Sequence, residues 1–154
     1  MKWLPKDIQT FLSAREYVDT AVVPLVSLSF DKDMAQSGSN TEFITLLTNY
    51  LEKQFTGRIL LLPPFTYIKD DDITENAKSL KNWEEHLQRS EMKHIFYITS
   101  ESDWKKQEEQ LSGTLIWLPS LPLDALNESQ KLSMIESQVK QLLSLFTSKW
   151  HENL

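Results

Sequence analysis

The sequence predicts an α/β fold, a three-layer sandwich with a mainly parallel four-stranded sheet flanked by helices, in a Rossmann-like or flavodoxin-like topology. Two observations support this prediction. Apolar runs alternate with amphipathic stretches along the chain, and strands separated by helices pair in parallel through crossovers. The runs ILLL and IFYI are continuously apolar, as in strands covered on both faces. We expect residues 1–154 to form one α/β domain.

The first half of the chain is expected to contain two helices and two strands. Periodicity and turn residues indicate, in order, a helix at Pro5–Tyr17, a strand at Thr20–Leu28, a polar loop at Ser29–Gly38, a helix behind a capping box at Ser39–Glu42, and a strand at Arg58–Pro63 that continues extended towards Tyr67. Pro24 has no N–H to donate, so the first strand is expected to lie at an edge or to end early.

The second half continues the alternation. The pattern indicates a helix at Thr74–Arg89, a strand at Lys93–Thr99, a short charged helix at Ser102–Leu111, a strand at Thr114–Leu118 and a final helix behind a cap at Asn127–Gln130. Gly57 and Gly113 each follow an amphipathic stretch, where a left-handed helix stop is expected. The final helix carries the longest apolar stripe of the chain, Leu132 to Trp150, which is expected to cover the sheet and to leave its far end for a dimer contact.

Composition excludes several classes of function. The net charge is −6 and the pI about 5.1, so the chain lacks the basic surface that neutralises nucleic-acid phosphates or binds anionic membranes. It has no cysteine, which excludes disulfides, thiolate catalysis and cysteine-ligated metals. Lys6 and Asp7 interrupt any signal-peptide core, and the longest uncharged apolar stretch, Thr20–Phe30, is too short to span a bilayer. We therefore expect a cytoplasmic protein without membrane insertion.

Acidic residues follow successive strands of the predicted sheet. In parallel sheets, ligands bind outside the carboxyl ends of the strands, which selects the loops that carry Asp31, Asp33, Asp70 and Asp103. Carboxylate oxygens at one edge are suitable ligands for Mg²⁺, so these four aspartates are the candidate metal ligands. The same loops precede helices, however, where aspartates act as caps and dipole partners. This structural interpretation is favoured over the metal site, and no other cofactor is expected.

The signatures of known catalytic sites are missing. The strand-end loops are not glycine-rich, and the chain contains no G-x-G-x-x-G, P-loop or G-x-S-x-G motif. His86, His94 and His151 all fall away from the predicted carboxyl edge, so a serine nucleophile has no histidine partner there.

These observations favour a non-enzymatic protein that acts by binding a protein partner or a second copy of itself. Trp3, Trp104 and Trp150 lie near predicted helix ends and are candidate contact residues if exposed. The alternative is a small-molecule or divalent-metal-dependent enzyme that uses the four aspartates. A third hypothesis is a nucleotide-binding-like fold that has lost its site, which the lack of glycines at the strand ends favours over a working nucleotide site.

Six segments carry a resemblance that extends over the chain in order. They are AREYVDTAVVPL (Ala14–Leu25), EFITLL (Glu42–Leu47), GRILLLPPFTY (Gly57–Tyr67), KHIFYITS (Lys93–Ser100), GTLIWLPSLPL (Gly113–Leu123) and QVKQLLSLF (Gln138–Phe146). Together they resemble the uncharacterised YpiF-like family of Bacillus and other Firmicutes, a domain of unknown function. The resemblance implies a Gram-positive, cytoplasmic protein and supplies no functional residues.

Overall fold

The computed structural model describes residues 1–152. The helices are α1 Pro5–Ser13, α2 Met34–Gln54, α3 Ile73–Arg89 and α4 Glu128–His151. The strands are β1 Thr20–Leu28, β2 Ile59–Leu61, β3 Phe65–Ile68, β4 His94–Thr99 and β5 Thr114–Trp117. Two 3₁₀ helices span Arg15–Tyr17 and Ser102–Gln110, and the second of these is the predicted short charged helix.

All strand pairings are parallel, and the sheet order is β2-β1-β4-β5. β2 pairs with the first residues of β1 and β3 pairs with its last four, after the register shifts by one residue. The five strand segments therefore fill four positions across the sheet. The α/β prediction with a mainly parallel sheet is confirmed, and the strand order is that of flavodoxin-like folds.

The expectation that β1 is an edge strand or ends early is wrong. β1 is an interior strand of nine residues, and Pro24 lies inside it. Pro63 and Pro64 separate β2 from β3 and interrupt the pairing beside Pro24. Alternate residues of a strand direct their N–H and C=O groups to the same side, and the Val22 carbonyl accepts from Leu62 N at 2.9 Å. The Pro24 nitrogen therefore faces the interruption, where no ladder hydrogen bond is lost.

Helices cover both faces of the sheet, as the three-layer prediction requires. α1, α3 and the Ser102–Gln110 helix pack on one face, whose buried residues include Phe11, Ala21, Val23, Leu25, Leu80, Tyr97 and Trp104. α2 and α4 pack on the other face, whose buried residues include Val22, Phe43, Leu47, Ile98, Ile135, Val139 and Phe146. Odd- and even-numbered residues of β1 thus enter different cores, which explains why the strand is apolar throughout.

Two local expectations about helix ends are wrong. α2 begins at Met34 instead of behind a cap at Ser39, because Ser37 is already helical and donates its hydroxyl proton to the Ser27 carbonyl at 2.7 Å. Neither Gly57 nor Gly113 has a positive φ. Gly113 is required for a different reason, since an added Cβ would lie 2.7 Å from a Tyr97 ring carbon and 2.8 Å from the Ile95 carbonyl oxygen.

The apolar stripe of α4 covers the sheet, as predicted. Ile135, Val139, Leu142, Phe146 and Trp150 are buried, whereas Leu132 at the start of the stripe is 50% exposed. The far end of the stripe is occupied within the chain itself. Its Trp150 indole donates to Thr20 Oγ1 at 2.8 Å and lies 4.1 Å below the Arg58 guanidinium. The predicted dimer contact through this end therefore lacks a free apolar surface at Trp150.

Candidate functional site at the carboxyl edge of the sheet

The strand order places a topological switch point between β1 and β4. The chain leaves β1 towards β2 on one side, and β4 lies on the other side, so a crevice forms where the carboxyl ends of these two strands diverge. Pairing between β1 and β4 ends at Pro24 and Ile98, and β1 continues to Leu28. Open sheets of this type bind ligands at such a position, which makes it the candidate site.

One carboxylate, Glu101, occupies this crevice. Its Oε1 accepts hydrogen bonds from Ser27 Oγ at 3.0 Å and from Asn40 Nδ2 at 2.9 Å. Its Oε2 lies 3.6 Å from Lys69 Nζ, and its side chain is 12% exposed. We call Ser27, Asn40, Lys69 and Glu101 the Glu101 network. Both carboxylate oxygens are engaged by neighbouring side chains, so the network fills the crevice instead of presenting free groups to a substrate.

The elements around the crevice hold the network in place. Glu101 lies two residues after Thr99, the last residue of β4, and its backbone N–H donates to Thr99 Oγ1 at 3.0 Å. Asn40 lies in the second turn of α2 and accepts from Gln36 Nε2 at 2.8 Å. Lys69 follows β3, and its N–H donates to the Leu28 carbonyl at 2.9 Å. Residues from the ends of β1 and β3 and from α2 therefore converge on a carboxylate that lies after β4.

An aromatic pair lies beneath the network. The Trp104 indole donates to the Tyr67 hydroxyl at 2.8 Å, and the two rings meet edge to face with centroids 5.3 Å apart. Burial raises the pKa of Tyr67, and the nearby Glu101 and Asp103 carboxylates raise it further. Tyr67 is therefore protonated across the physiological range. Trp104 is fully buried, so it is not the contact residue that its place near a helix end suggested.

The four candidate metal ligands are distributed around this edge. Asp31, Asp70 and Asp103 are exposed and Asp33 is half-buried. Within residues 1–152, no three histidine, aspartate or glutamate side chains come together as a metal-binding group. The Mg²⁺ site at these four residues stays a prediction.

The capping interpretation of the acidic loops holds for one aspartate. Asp72 accepts from the Thr74 backbone N–H at 3.0 Å and from its hydroxyl at 2.7 Å, and these bonds lower the pKa of Asp72.

Three exposed apolar side chains follow Ser27 of the Glu101 network closely in the chain, from the end of β1 to the start of α2. Leu28 ends β1, Phe30 lies in the following loop and Met34 begins α2; they are 38%, 67% and 58% exposed. We call these three residues the rim patch. Sequence reasoning missed both the rim patch and the Glu101 network. An available signal for the patch was a phenylalanine and a methionine on either side of the charged triplet Asp31–Asp33, where neither is needed for a helix stripe.

Two cavities open near the sheet ends. One, of about 490 Å³, lies between the start of α2 and the loop after β5 and is lined by Ala35, Gln36, Gly38, Ser39, Glu42, Pro122 and Asp124. The other, of about 260 Å³, lies at the interruption between β2 and β3, beside the exposed Trp3 and Leu4. The first is lined by the start of α2 and by the loop after β5, so it opens at the same edge of the sheet as the candidate site.

Two further charge clusters, one buried and one partly exposed, have structural roles. Glu84 is fully buried and accepts from Tyr97 Oη at 2.6 Å and from the Ser112 and Gly113 N–H groups at 2.9 Å. Burial raises its pKa, but these hydrogen bonds outweigh burial and the net pKa of Glu84 is lowered. At the amino edge, Asp19 binds the Arg58 guanidinium through both oxygens at 3.1 and 3.3 Å.

Comparison with known proteins identifies one family and one relative. The family model described as "Protein of unknown function (DUF2487)" matches residues 9–150. The "Uncharacterized protein YpiF" of Bacillus subtilis (strain 168) is 33% identical over 150 residues, which cover 97% of this chain and 98% of the relative.

One solved structure shows a remote similarity. The "sigma-54 interaction domain protein from Enterococcus faecalis" is 8% identical with a TM-score of 0.42, covering 88% of this chain and 98% of that one. A similarity of this degree does not establish a shared function. Among the helices of residues 1–152, none has both the length and the apolar character that a membrane crossing requires.

Proposed function

The chain belongs to the DUF2487 family of proteins of unknown function, and on that premise we propose that it acts in the cytoplasm by binding another protein through the rim patch, and not by catalysis. The observation that carries the proposal is the position of the patch. Three apolar side chains are exposed at the edge where α/β proteins bind ligands, next to a crevice that the chain's own side chains occupy.

The Glu101 network argues against a nucleotide or phosphorylated substrate in the crevice. A carboxylate at the switch point repels a phosphate group, and Lys69, the cation of the network, is already engaged with Glu101. Phosphate-binding crevices also need glycines where the backbone approaches the ligand. Gly38 is the glycine nearest to this edge, and it lies inside α2 instead of in the loop. The arrangement supports the hypothesis of a nucleotide-binding-like fold without its site.

The exposure of the rim patch supports protein contact. Aromatic and methionine side chains are enriched at protein interfaces, and large apolar side chains exposed next to each other often indicate an interaction surface. Phe30 is the largest member and is two-thirds exposed, so it has the properties of an anchor that enters a pocket of a partner.

Site-specific photo-crosslinking in Bacillus cells tests the proposal. A benzophenone amino acid replaces Phe30 in one variant and, as controls, Tyr17 or Leu132, which are 69% and 50% exposed on other parts of the molecule. We expect a discrete adduct with one protein at position 30 that neither control position forms. Absence of any adduct at position 30, or the same adducts at all three positions, would contradict the proposed function.

A further inference from the structure

We propose that the partner presents a basic segment with an apolar anchor, so that Lys or Arg side chains meet the aspartates around the rim patch while the anchor packs on Phe30. This inference rests on the proposed function and specifies the chemistry of the partner. The apolar residues supply the contact area, and the surrounding charges select which protein binds.

The charge around the rim patch is strongly one-sided. The loops 29–33 and 69–72 carry five aspartates against two lysines, and one of these lysines, Lys69, lies 3.6 Å from the Glu101 carboxylate. The two loops are adjacent, because the Lys69 N–H donates to the Leu28 carbonyl at 2.9 Å. Asp31, Asp70 and Asp71 are all exposed, so their charges remain available to a partner. Such a field attracts a cationic surface and increases its association rate.

The cavity beside α2 extends the same chemistry. The cavity is about 490 Å³ in volume, and its first lining residue, Ala35, follows Met34 in α2. Glu42 and Asp124 are also among its lining residues. Lys131 Nζ lies 3.2 Å from Glu42 Oε2, whereas Asp124, also among the lining residues, is exposed. A long cationic side chain fits this arrangement, because its aliphatic stem packs along Pro122 while its charged group reaches Asp124.

Other occupants of the rim patch fit less well. A second copy of the chain in a two-fold dimer would place the aspartates of both copies against each other, which is unfavourable. Nucleic acid and anionic lipid surfaces would be repelled by the same charges. A neutral apolar segment would satisfy the rim patch but would leave five carboxylates without any contribution to recognition.

Peptide binding measured by fluorescence anisotropy tests the inference. The probe is a synthetic amphipathic helix with leucines on one face and lysines on the other, and its twin has glutamates in place of the lysines. We expect the lysine probe to bind and the glutamate twin not to bind. Raising the salt concentration should weaken binding of the lysine probe, because screening reduces attraction between exposed charges.

Two matched pairs of variants locate the binding surface. Phe30→Ser should weaken the lysine probe about tenfold or more, whereas Tyr17→Ser, an equally exposed aromatic site, should change it less than about twofold. The triple variant Asp31→Asn/Asp70→Asn/Asp71→Asn should also weaken it about tenfold. Its control, Glu16→Gln/Glu108→Gln/Glu109→Gln, removes the same number of exposed charges elsewhere and should leave binding within about twofold.

Three results would overturn the inference. These are equal binding of the two peptides, equal effects of the rim and control triple variants, or a crosslink at position 30 that joins two copies of this chain. The first two leave the proposed function standing if position 30 still forms a specific adduct with another protein in cells, whereas the third replaces that partner by a second copy of the chain. Failure of that adduct removes the proposed function itself, so the two failures are distinguishable.

Discussion

Replacing Glu101 by alanine distinguishes a structural carboxylate from a functional one, because the two roles predict changes of opposite sign in the free energy of unfolding. Alanine leaves Ser27 Oγ and Asn40 Nδ2 without the acceptor that they contact at 3.0 and 2.9 Å, and Lys69 without its partner. Hydrogen bonds to a charged group contribute about 1.5–3 kcal/mol each. Because the side chain is 12% exposed, water recovers part of this loss, and we expect a net destabilisation of about 2–4 kcal/mol.

The assay is thermal and urea unfolding followed by tryptophan fluorescence. In a chain of this size, 1 kcal/mol corresponds to a change in Tm of about 2–4 °C, so the middle of the expected range lowers Tm by roughly 9 °C. Glu101→Gln keeps one acceptor oxygen and should cost about 1 kcal/mol. Residues kept for catalysis or ligand binding are often destabilising, and their removal tends to raise stability. An unchanged or higher Tm for Glu101→Ala would refute the argument that the network is structural.

The remaining predictions concern the packing and the charges of the core. Gly113→Ala should destabilise the fold by about 2 kcal/mol or more, because the added Cβ would lie less than 3 Å from Tyr97 and from the Ile95 carbonyl. Gly38→Ala should stabilise it by about 1 kcal/mol, because Gly38 lies inside α2 with open space around it. Urea unfolding of both variants measures the difference. Glu84→Gln should cost about 2–4 kcal/mol in the same assay, because three donors form short hydrogen bonds to this buried carboxylate. A loss below about 0.5 kcal/mol would show that the cluster is not essential for stability. Burial lowers the pKa of His94 from 6.5, so the unfolded chain binds more protons than the folded chain, and stability should fall as the pH drops below about 6.5. The pKa of Glu84 is lowered from 4.5, so its protonation should add a further loss of stability near pH 4. Urea unfolding between pH 8 and 5 should show the first decrease in the natural chain and not in His94→Gln.

The regular elements of the fold were predictable because their signals are local. Continuous apolar runs predicted β1 and β4 at nearly their observed bounds, and the Asn127 capping box is present with both reciprocal hydrogen bonds, at 3.1 and 2.8 Å. The position of Pro24 was not predictable from its own segment, because its tolerance inside β1 depends on Pro63 and Pro64 between β2 and β3. The pattern of one segment does not indicate which strand will lie beside that segment in the sheet.

The sequence predicted the edge of the sheet at which the candidate site lies, but not which residues form the site. Parallel pairing predicted where the loops converge, and the aspartates of those loops were the predicted metal ligands. The residue that occupies the crevice, Glu101, was one of several acidic residues on those loops and carried no distinguishing motif. Its importance arises from Ser27 and Asn40, which lie 74 and 61 residues away in the chain and become its donors only through the strand order.

A titration of the ¹⁵N–¹H spectrum of the labelled protein with Mg²⁺, ATP, NAD and FMN tests most directly whether the crevice is closed to small ligands. We expect the amide signals of Ser27, Asn40, Lys69 and Glu101 not to move, because the chain's own side chains already occupy the crevice. Saturable shifts at these four residues would contradict this expectation and would indicate a small-molecule site. Saturable shifts with Mg²⁺ at Asp31, Asp33, Asp70 and Asp103 would instead support a metal-dependent enzyme at the same edge.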